Sequence, residues 1–404
     1  MKRALVLGPS DLATGRRRTP RARRVRVGGR VAAVGAGSIT LADALAALAV
    51  HGEALACEPG DLVVVEGEPT RQGLRRARLV ERVPHPPPRG DGEVARFTWD
   101  GTGGRLAARA RALAEIRKLF AERDFLEVQT PFRVRAPGVD ANVDALRAEG
   151  GFLITSPELH LKRLLVAGLP RVFELARVSR ADERGALHEP EFTLLEWYRA
   201  FAGQDEIQDD TERVVECVAR ALRGRAELVT PEGRVVDATP PFRRITVREA
   251  FRRWADVRDA SSLARKDPDR YFELLVGRVE PALALLKKPV FLCDYPISEA
   301  ALARPSPSDP SVAERFELYA GGVELSNGYG ELTDAAEQER RFRAEHARRK
   351  AARRRTYPLD RKFLAALAEG MPRAGGNALG VDRLMMLAIG AKTIQDVIAF
   401  PSEI

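Results

Sequence analysis

Ten residues, "PHPPPRGDGE" at Pro84–Glu93, contain four prolines and two glycines and can continue neither a strand nor a helix. A break of this kind divides the chain before any fold is considered. The 404 residues, 45% of them apolar, suffice for one large and one small core. The expected division is a basic N-terminal arm at 1–20, a small barrel at 21–84, a Pro/Gly-rich linker at 85–104 and a larger domain at 105–404.

Upstream of the break, "RVRVGGRVAAVG", "SITLADALAALAV", "GDLVVVEGE" and "RARLVERV" are short apolar or alternating runs separated by glycine and polar turns. Several short strands over some sixty residues predict a small closed barrel, and an OB-like barrel is the expected form. Downstream, Leu106, Ala110, Leu113, Ile116, Leu119 and Phe120 recur at helical spacing across 105–123. Beyond them, strand-like runs such as "RVFELARVS", "EFTLLEWY" and "PVFLCDYP" mix irregularly with helical segments. Without regular strand–helix alternation, the larger domain should be α+β with an antiparallel sheet flanked by helices. The charged stretch 334–355 reads as a helix with a solvated face.

The net charge of +9 is concentrated at the N-terminus, where Met1–Gly92 holds 16 Lys and Arg against 9 Asp and Glu. Much of it is the cluster Arg16, Arg17, Arg18, Arg21, Arg23, Arg24 and Arg26, a composition that suits nucleic acid, an acidic protein or a solvated arm. Residues 1–96 contain no Phe, Tyr or Trp, so the barrel lacks the rings on which single-stranded bases usually stack. No apolar run approaches the roughly 20 residues needed to cross a bilayer, and the opening apolar stretch is short for a secretory signal; a cytoplasmic protein is expected. The three cysteines, Cys57, Cys217 and Cys293, are far apart and predict neither a disulfide framework nor a structural zinc site.

The segment "GVELSNGYGEL" brackets Asn327-Gly328 and Gly330 with two acids, Glu324 and Glu331. In a regular strand residues an odd number apart face opposite ways, and the glycines argue against a helix. A bulge or turn that re-aims one acid would make a shared carboxylate site. Two unrelated surface glutamates are the alternative. Other segments set charged and aromatic groups inside apolar runs, where a bare charge is costly to bury. They are Glu158 in "ITSPELHLKR"; Arg180, Asp182, His188, Glu191, Phe192, Glu196 and Tyr198 in "ARVSRADERGALHEPEFTLLEWY"; and Arg383 in "NALGVDRLMML".

From about Leu106 onward these segments resemble the catalytic domain of class II aminoacyl-tRNA synthetases of the lysyl type. "FLEVQTP" is similar to motif 1, with its proline at Pro131; "SRADERGALHEPEFTLLEWY" is similar to motif 2, and "ALGVDRLMML" to motif 3. "TSPELHLKRLLVAGLPRVFELARVSR", "HEPEFTLLEWYR" and "GVELSNGYGELTDA" more closely resemble the truncated lysyl-tRNA synthetase paralogues that attach (R)-β-lysine to elongation factor P.

That resemblance implies an ATP-dependent ligase using Mg²⁺, acting on a lysine-like amino acid and on elongation factor P, and forming a homodimer through motif 1. It implies that Arg180 and Arg383 hold ATP phosphates and take part in catalysis, as permanently charged bidentate groups can. Phe192 would stack on adenine, with Asp182, His188, Leu325 and Gly380 completing the nucleotide site. Glu324 and Glu331 would hold Mg²⁺, which favours carboxylate oxygens. Glu158 with Ser156 and Pro157 would receive the amino group near the substrate carboxylate, and Asn327 the carboxylate itself. Glu196, Tyr198 and Glu331 would receive the distant ammonium beside Ala378. Three residues depart from the lysyl-tRNA synthetase pattern. Asp182 replaces the glutamate of Arg-x-Glu, Glu189 replaces an asparagine, and Ala378 replaces a glycine. The ligases also carry alanine at the last position.

The barrel is the main mismatch with the ligases, and it supports a compact lysyl-tRNA synthetase with tRNA as acceptor. A non-catalytic synthetase-like binding protein is a third reading, against which the retained arginines and acids weigh.

Overall fold

The computed structural model describes residues 5–13, 23–138, 143–300 and 302–402. The chain separates into two compact units, Met1–Ala108 and Arg109–Ile404. Of the arginine cluster, Arg16, Arg17, Arg18 and Arg21 lie outside the described residues.

In the first unit, five strands close on themselves in the order Val25–Gly35, Ser38–Ala42, Ala47–Gly52, Gly73–Val83, Leu62–Pro69 and back to Val25–Gly35. One pairing in the ring, Ala47–Gly52 with Gly73–Val83, is parallel. Alternation along each strand turns Val25, Val27, Val31, Ile39, Leu41, Val50, Val63 and Val65 into an aliphatic core. Two parts of the expected division differ from the structure. Val6–Leu7, inside the stretch expected as an arm, pairs in parallel with Arg26–Val27. The expected linker includes a helical turn at Ala95–Trp99 and the start of the Thr102–Ala121 helix, because the prolines end at Pro88 and Gly103 and Gly104 are taken into the first turn of that helix.

The second unit is built on an eight-stranded sheet. Six antiparallel strands run Val290–Pro296, Val312–Ala320, Val323–Gly330, Ala374–Gly380, Glu191–Ala200 and Arg171–Ser179. Short parallel strands, Arg243–Thr246 and Leu126–Glu127, flank them. Directly opposed residues share a face, so the register sorts the sheet into two surfaces. One row, Phe173, Trp197, Asn377, Gly328 and Phe316, faces helices. Phe120 stacks on Phe173 at 4.6 Å and meets Trp197 edge-on at 5.5 Å, while Asn377 donates to Thr211 Oγ1 of the Gln204–Arg223 helix at 2.7 Å. The neighbouring row on the opposite surface is Glu174, Glu196, Ala378, Asn327 and Glu317. A row of acids across the middle of a sheet is tolerable only beside partners, water or a ligand.

The helix predicted at 334–355 forms at Ala335–Ala351, but it is more than a solvated face. Arg349 is fully buried, donating to the carbonyls of Arg355 and Val143 and paired with Asp144.

Candidate functional site

The acid-bearing face of the sheet forms the floor of a cavity of about 1250 Å³. Its position follows from the Val323–Gly330 strand. Leu318 opposes Ser326 and Tyr319 opposes Glu324, so Leu325 is one residue too many and bulges. The bulge turns Glu324 onto the face of Asn327 and of Glu317 on the neighbouring strand. Asn327-Gly328 makes no turn; the strand runs through it. A Cβ at Gly328 would lie 2.3 Å from the Phe316 ring, so the glycine serves close packing.

At one end of the cavity lie the arginines. Arg180 sits 5.2 Å over the Phe192 ring and 3.7 Å from Glu183, and its buried Nε has no hydrogen-bond partner among the described residues. Arg383, in the first turn of the Val381–Ile389 helix that Gly380 caps, donates to the carbonyls of Leu187 and Glu324 and lies 3.4 Å from Glu324 Oε2. Its other amino group meets His188 Nε2 at 2.6 Å. Burial and the flanking charges of Arg383 and Arg180 hold the His188 imidazole below its usual pKa, so the neutral ring accepts from Arg383. Burial in the cavity wall and the Glu317 carboxylate push Glu324 up, against the pull of Arg383 and Arg180.

At the other end lie the acids. Glu196, fully buried, accepts from Ser156 Oγ and Tyr198 Oη, each at 2.7 Å. Burial, reinforced by the Glu158 charge, pushes its carboxyl up to about 8. Glu331, also fully buried, meets Lys162 Nζ at 2.5 Å through Oε2, and the same ammonium lies 2.5 Å from Glu158 Oε1. Burial lifts Glu331 to about 7 even though Lys162 opposes the rise. The Lys162 ammonium is held above its ordinary pKa despite its burial, because two carboxylates face it. A Cβ at Gly376 would lie 2.2 Å from the Tyr198 ring and 2.9 Å from Glu331 Oε1, so this corner closes only over a glycine.

Between the ends, Asn327 Oδ1 accepts from Arg315 Nε at 3.3 Å, which leaves the amide nitrogen to donate toward the cavity. Ala378 stands between Glu196 and Asn327 in the sheet.

Most residues singled out from the sequence line this one cavity: Ser156, Glu158, Arg180, His188, Phe192, Glu196, Tyr198, Glu324, Leu325, Asn327, Ala378, Gly380 and Arg383. Four of the residues singled out lie outside the lining. Asp182 is exposed, in a left-handed turn at φ 64°, and the neighbouring Glu183 takes its place in the wall. Pro157 is buried as the residue preceding the Glu158–Val166 helix and does not line the cavity. Glu191, whose carboxylate pairs with Arg177, also lies outside the lining. Glu331 shares a face with Glu324 but sits behind the wall with Lys162, and the acid acting on Glu324 is Glu317. Glu189, which stands where an asparagine was expected, is tied by Gln395 at 2.7 Å and the Ser402 backbone at 3.1 Å.

Lys162, Glu183, Arg315 and Glu317 were missed. Lys162 follows Glu158 by four positions in "ELHLK", and Arg315 and Glu317 alternate in "VAERFELYA". Both are legible spacings for same-face charges.

The residues present fit a nucleotide and a divalent cation. Arg180 offers a buried N–H with no partner among the described residues for an anion, and Glu324, whose carboxyl burial and the Glu317 charge push up, faces the cavity as an oxygen donor for a cation; Glu317 itself is held by Arg315, Tyr295 and Tyr319.

An antiparallel sheet whose open face carries a cavity, with arginines from two separate sequence segments at one end, is the catalytic architecture of class II aminoacyl-tRNA synthetases. A family model described as tRNA synthetases class II (D, K and N) matches residues 98–404. Elongation factor P–(R)-β-lysine ligase of Proteus mirabilis is 39% identical over 326 residues, 76% of this chain and 98% of that protein. Proteins of the same name from Salmonella gallinarum and Sodalis glossinidius are 39% and 40% identical, over 75% and 74% of this chain and 97% and 95% of their own lengths. The chain belongs to the class II tRNA synthetases of the D, K and N type and, within them, to the family of the elongation factor P–(R)-β-lysine ligases. The barrel at Val25–Val83 lies outside the family match.

Proposed function

We propose that this protein activates (R)-β-lysine, or lysine, with ATP and transfers it to a lysine side chain of elongation factor P. The observation that carries the reading is the charge of the acidic corner. Three carboxylates, Glu158, Glu196 and Glu331, share one resident cation, Lys162, and two of the three are pushed toward neutrality by burial. The unmet demand is for two positive charges, the number of ammonium groups on a diamino acid. The resemblance assigns Glu158 to the near ammonium, and Glu196, Tyr198 and Glu331 to the distant one. Asn327, oriented by Arg315, and Arg180 would meet the substrate carboxylate and the nucleotide phosphates, with Phe192 beneath the adenine.

In the first step the substrate carboxylate attacks the α-phosphorus of ATP, a carbon-bound oxygen joins phosphorus, and pyrophosphate leaves. The carboxylate is already ionised, so this step needs no general base; positioning and charge neutralisation drive it. Glu324, which lines the cavity, would hold Mg²⁺, which supplies positive charge to the phosphate oxygens. In the second step the acceptor amine forms an amide and AMP leaves. A homodimer formed through motif 1 and a cytoplasmic location belong to the same reading; no helix among the described residues is long and apolar enough to cross a membrane.

The barrel favours a second reading, a compact lysyl-tRNA synthetase. Offering purified elongation factor P and lysine tRNA together and following the acyl label tests both. Label on elongation factor P supports the proposal, and label on tRNA alone rejects it. Absence of pyrophosphate exchange with either lysine rejects an activating enzyme altogether.

A further inference from the structure

The acidic corner contains a lysine that neither step of the proposed reaction uses. Lys162 is 1% exposed, lies on the same helix as Glu158, and divides its ammonium between Glu158 Oε1 and Glu331 Oε2 at 2.5 Å each. The Tyr198 and Tyr329 rings stand 5.7 and 6.0 Å from it. Packing does not require a charge at this position. Leu161 and Leu165 of the same helix are core residues, and replacing a buried ion by an apolar side chain of similar volume is commonly neutral or stabilising. The lysine instead restricts the acids. It engages one oxygen of Glu158, whose side chain lines the cavity, and one of Glu331, whose Oε1 is fully buried and has no hydrogen-bond partner among the described residues.

We infer that Lys162 is a positioning residue: anchored on the buried Glu331, its ammonium holds one oxygen of Glu158 so that the other remains for the substrate, and it limits the corner's unmet charge to two. The inference rests on the reading of the cavity as a diamino-acid site. Without Lys162, two carboxylates within reach of one another would repel and turn apart, or take up a proton that the substrate must then displace. The loss would fall on substrate binding, since Lys162 holds the acids assigned to the ammonium groups, while Arg180 and Arg383, assigned to the phosphates, lie at the other end of the cavity.

The test uses Lys162→Met and Lys162→Gln in the full chain, with pyrophosphate exchange measured against (R)-β-lysine and α-lysine concentration. Thermal unfolding is followed in parallel. The expected result is folded variants whose KM rises by about tenfold or more while kcat falls by less than about threefold. In Lys162→Ala, ethylammonium added to the assay should lower KM again, and ethanol should not. Folded variants with KM within about twofold of the parent, or a loss confined to kcat that ethylammonium leaves untouched, would reduce Lys162 to a structural staple and overturn the inference. Should the neutral variants not fold, Lys162→Arg decides: it keeps the charge but shifts its position, so KM should rise, and an unchanged KM overturns the inference. Failure of the parent protein to exchange with either lysine overturns the diamino-acid reading itself. Parent activity with an unmoved KM in the variants overturns only the role of Lys162.

Discussion

The barrel and the cavity are both dense in charge, and they handle it in opposite ways. In the barrel, Arg24, Arg26 and Arg78 converge on Glu66, Arg75 and Arg76 on Glu68, and Arg82 on Asp61. These arginines are partly or largely exposed, and each finds an acid within the barrel. Such surface pairs contribute about 0–1 kcal/mol each. At the cavity, Glu158 and the buried Glu331 share one lysine beside the buried Glu196, and half-buried Arg180 keeps a buried N–H with no partner among the described residues. A surface can leave charge to solvent at little cost, whereas a buried site cannot. The unmatched charge therefore marks where a ligand belongs, and the self-paired arginines of the barrel make a poor phosphate track.

The comparison can be broken most directly at the buried end. Glu331→Ala removes one partner of a buried ion pair and leaves Lys162 to Glu158 alone, where breaking a buried pair costs about 3–5 kcal/mol in comparable sites. Substrate-dependent pyrophosphate exchange should fall by roughly 10²–10³-fold, and retained exchange would show that the acid is not part of the site. Glu196→Gln is isosteric and should weaken (R)-β-lysine by about tenfold to a hundredfold in KM, as expected for losing a charge-assisted contact.

The same substitution carries a signed prediction for stability. The folded-state pKa of Glu196, about 8, lies above the ordinary carboxyl value of 4.5, so its stability contribution is complete below 4.5 and is lost as pH rises through about 8. Glu196→Gln should therefore be more heat-stable than the parent at pH 8.5, with the gap closing at pH 5. Melting curves at the two values decide the sign.

A smaller effect should appear in the unaltered protein. Glu331 and Glu196, with values of about 7 and 8, must ionise to receive ammonium groups, so KM for the amino acid should fall as pH rises from 6 to 8. A flat profile would mean that these acids remain ionised without substrate. The smallest effect belongs to the barrel. Converting Arg75 and Arg76 to glutamine removes two exposed ion pairs and should change exchange by less than about twofold, with melting within about 1 kcal/mol of the parent. A large loss of acylation in that variant would assign the barrel a direct part in the reaction.

Much of this molecule was legible in the chain. The proline- and glycine-rich break, the aliphatic alternation of a five-stranded barrel, the apolar runs of an antiparallel sheet and the four segments that supply the cavity are local signals. They are readable because strand and helix periods place residues on faces whatever the rest of the fold does. Even the odd spacing of Glu324 and Glu331 announced that a regular strand could not serve both, and the bulge at Leu325 resolves it.

Tertiary structure decided which neighbours those residues meet. Whether Glu331 would join Glu324 or retreat to Lys162, whether Asp182 or Glu183 would face inward, and whether Asn327-Gly328 would turn or pack beneath Phe316 depends on strand register and on side chains far away in sequence. The physical reason is that a charge's worth is set by the dielectric and the partners around it, and both exist only once the chain has folded.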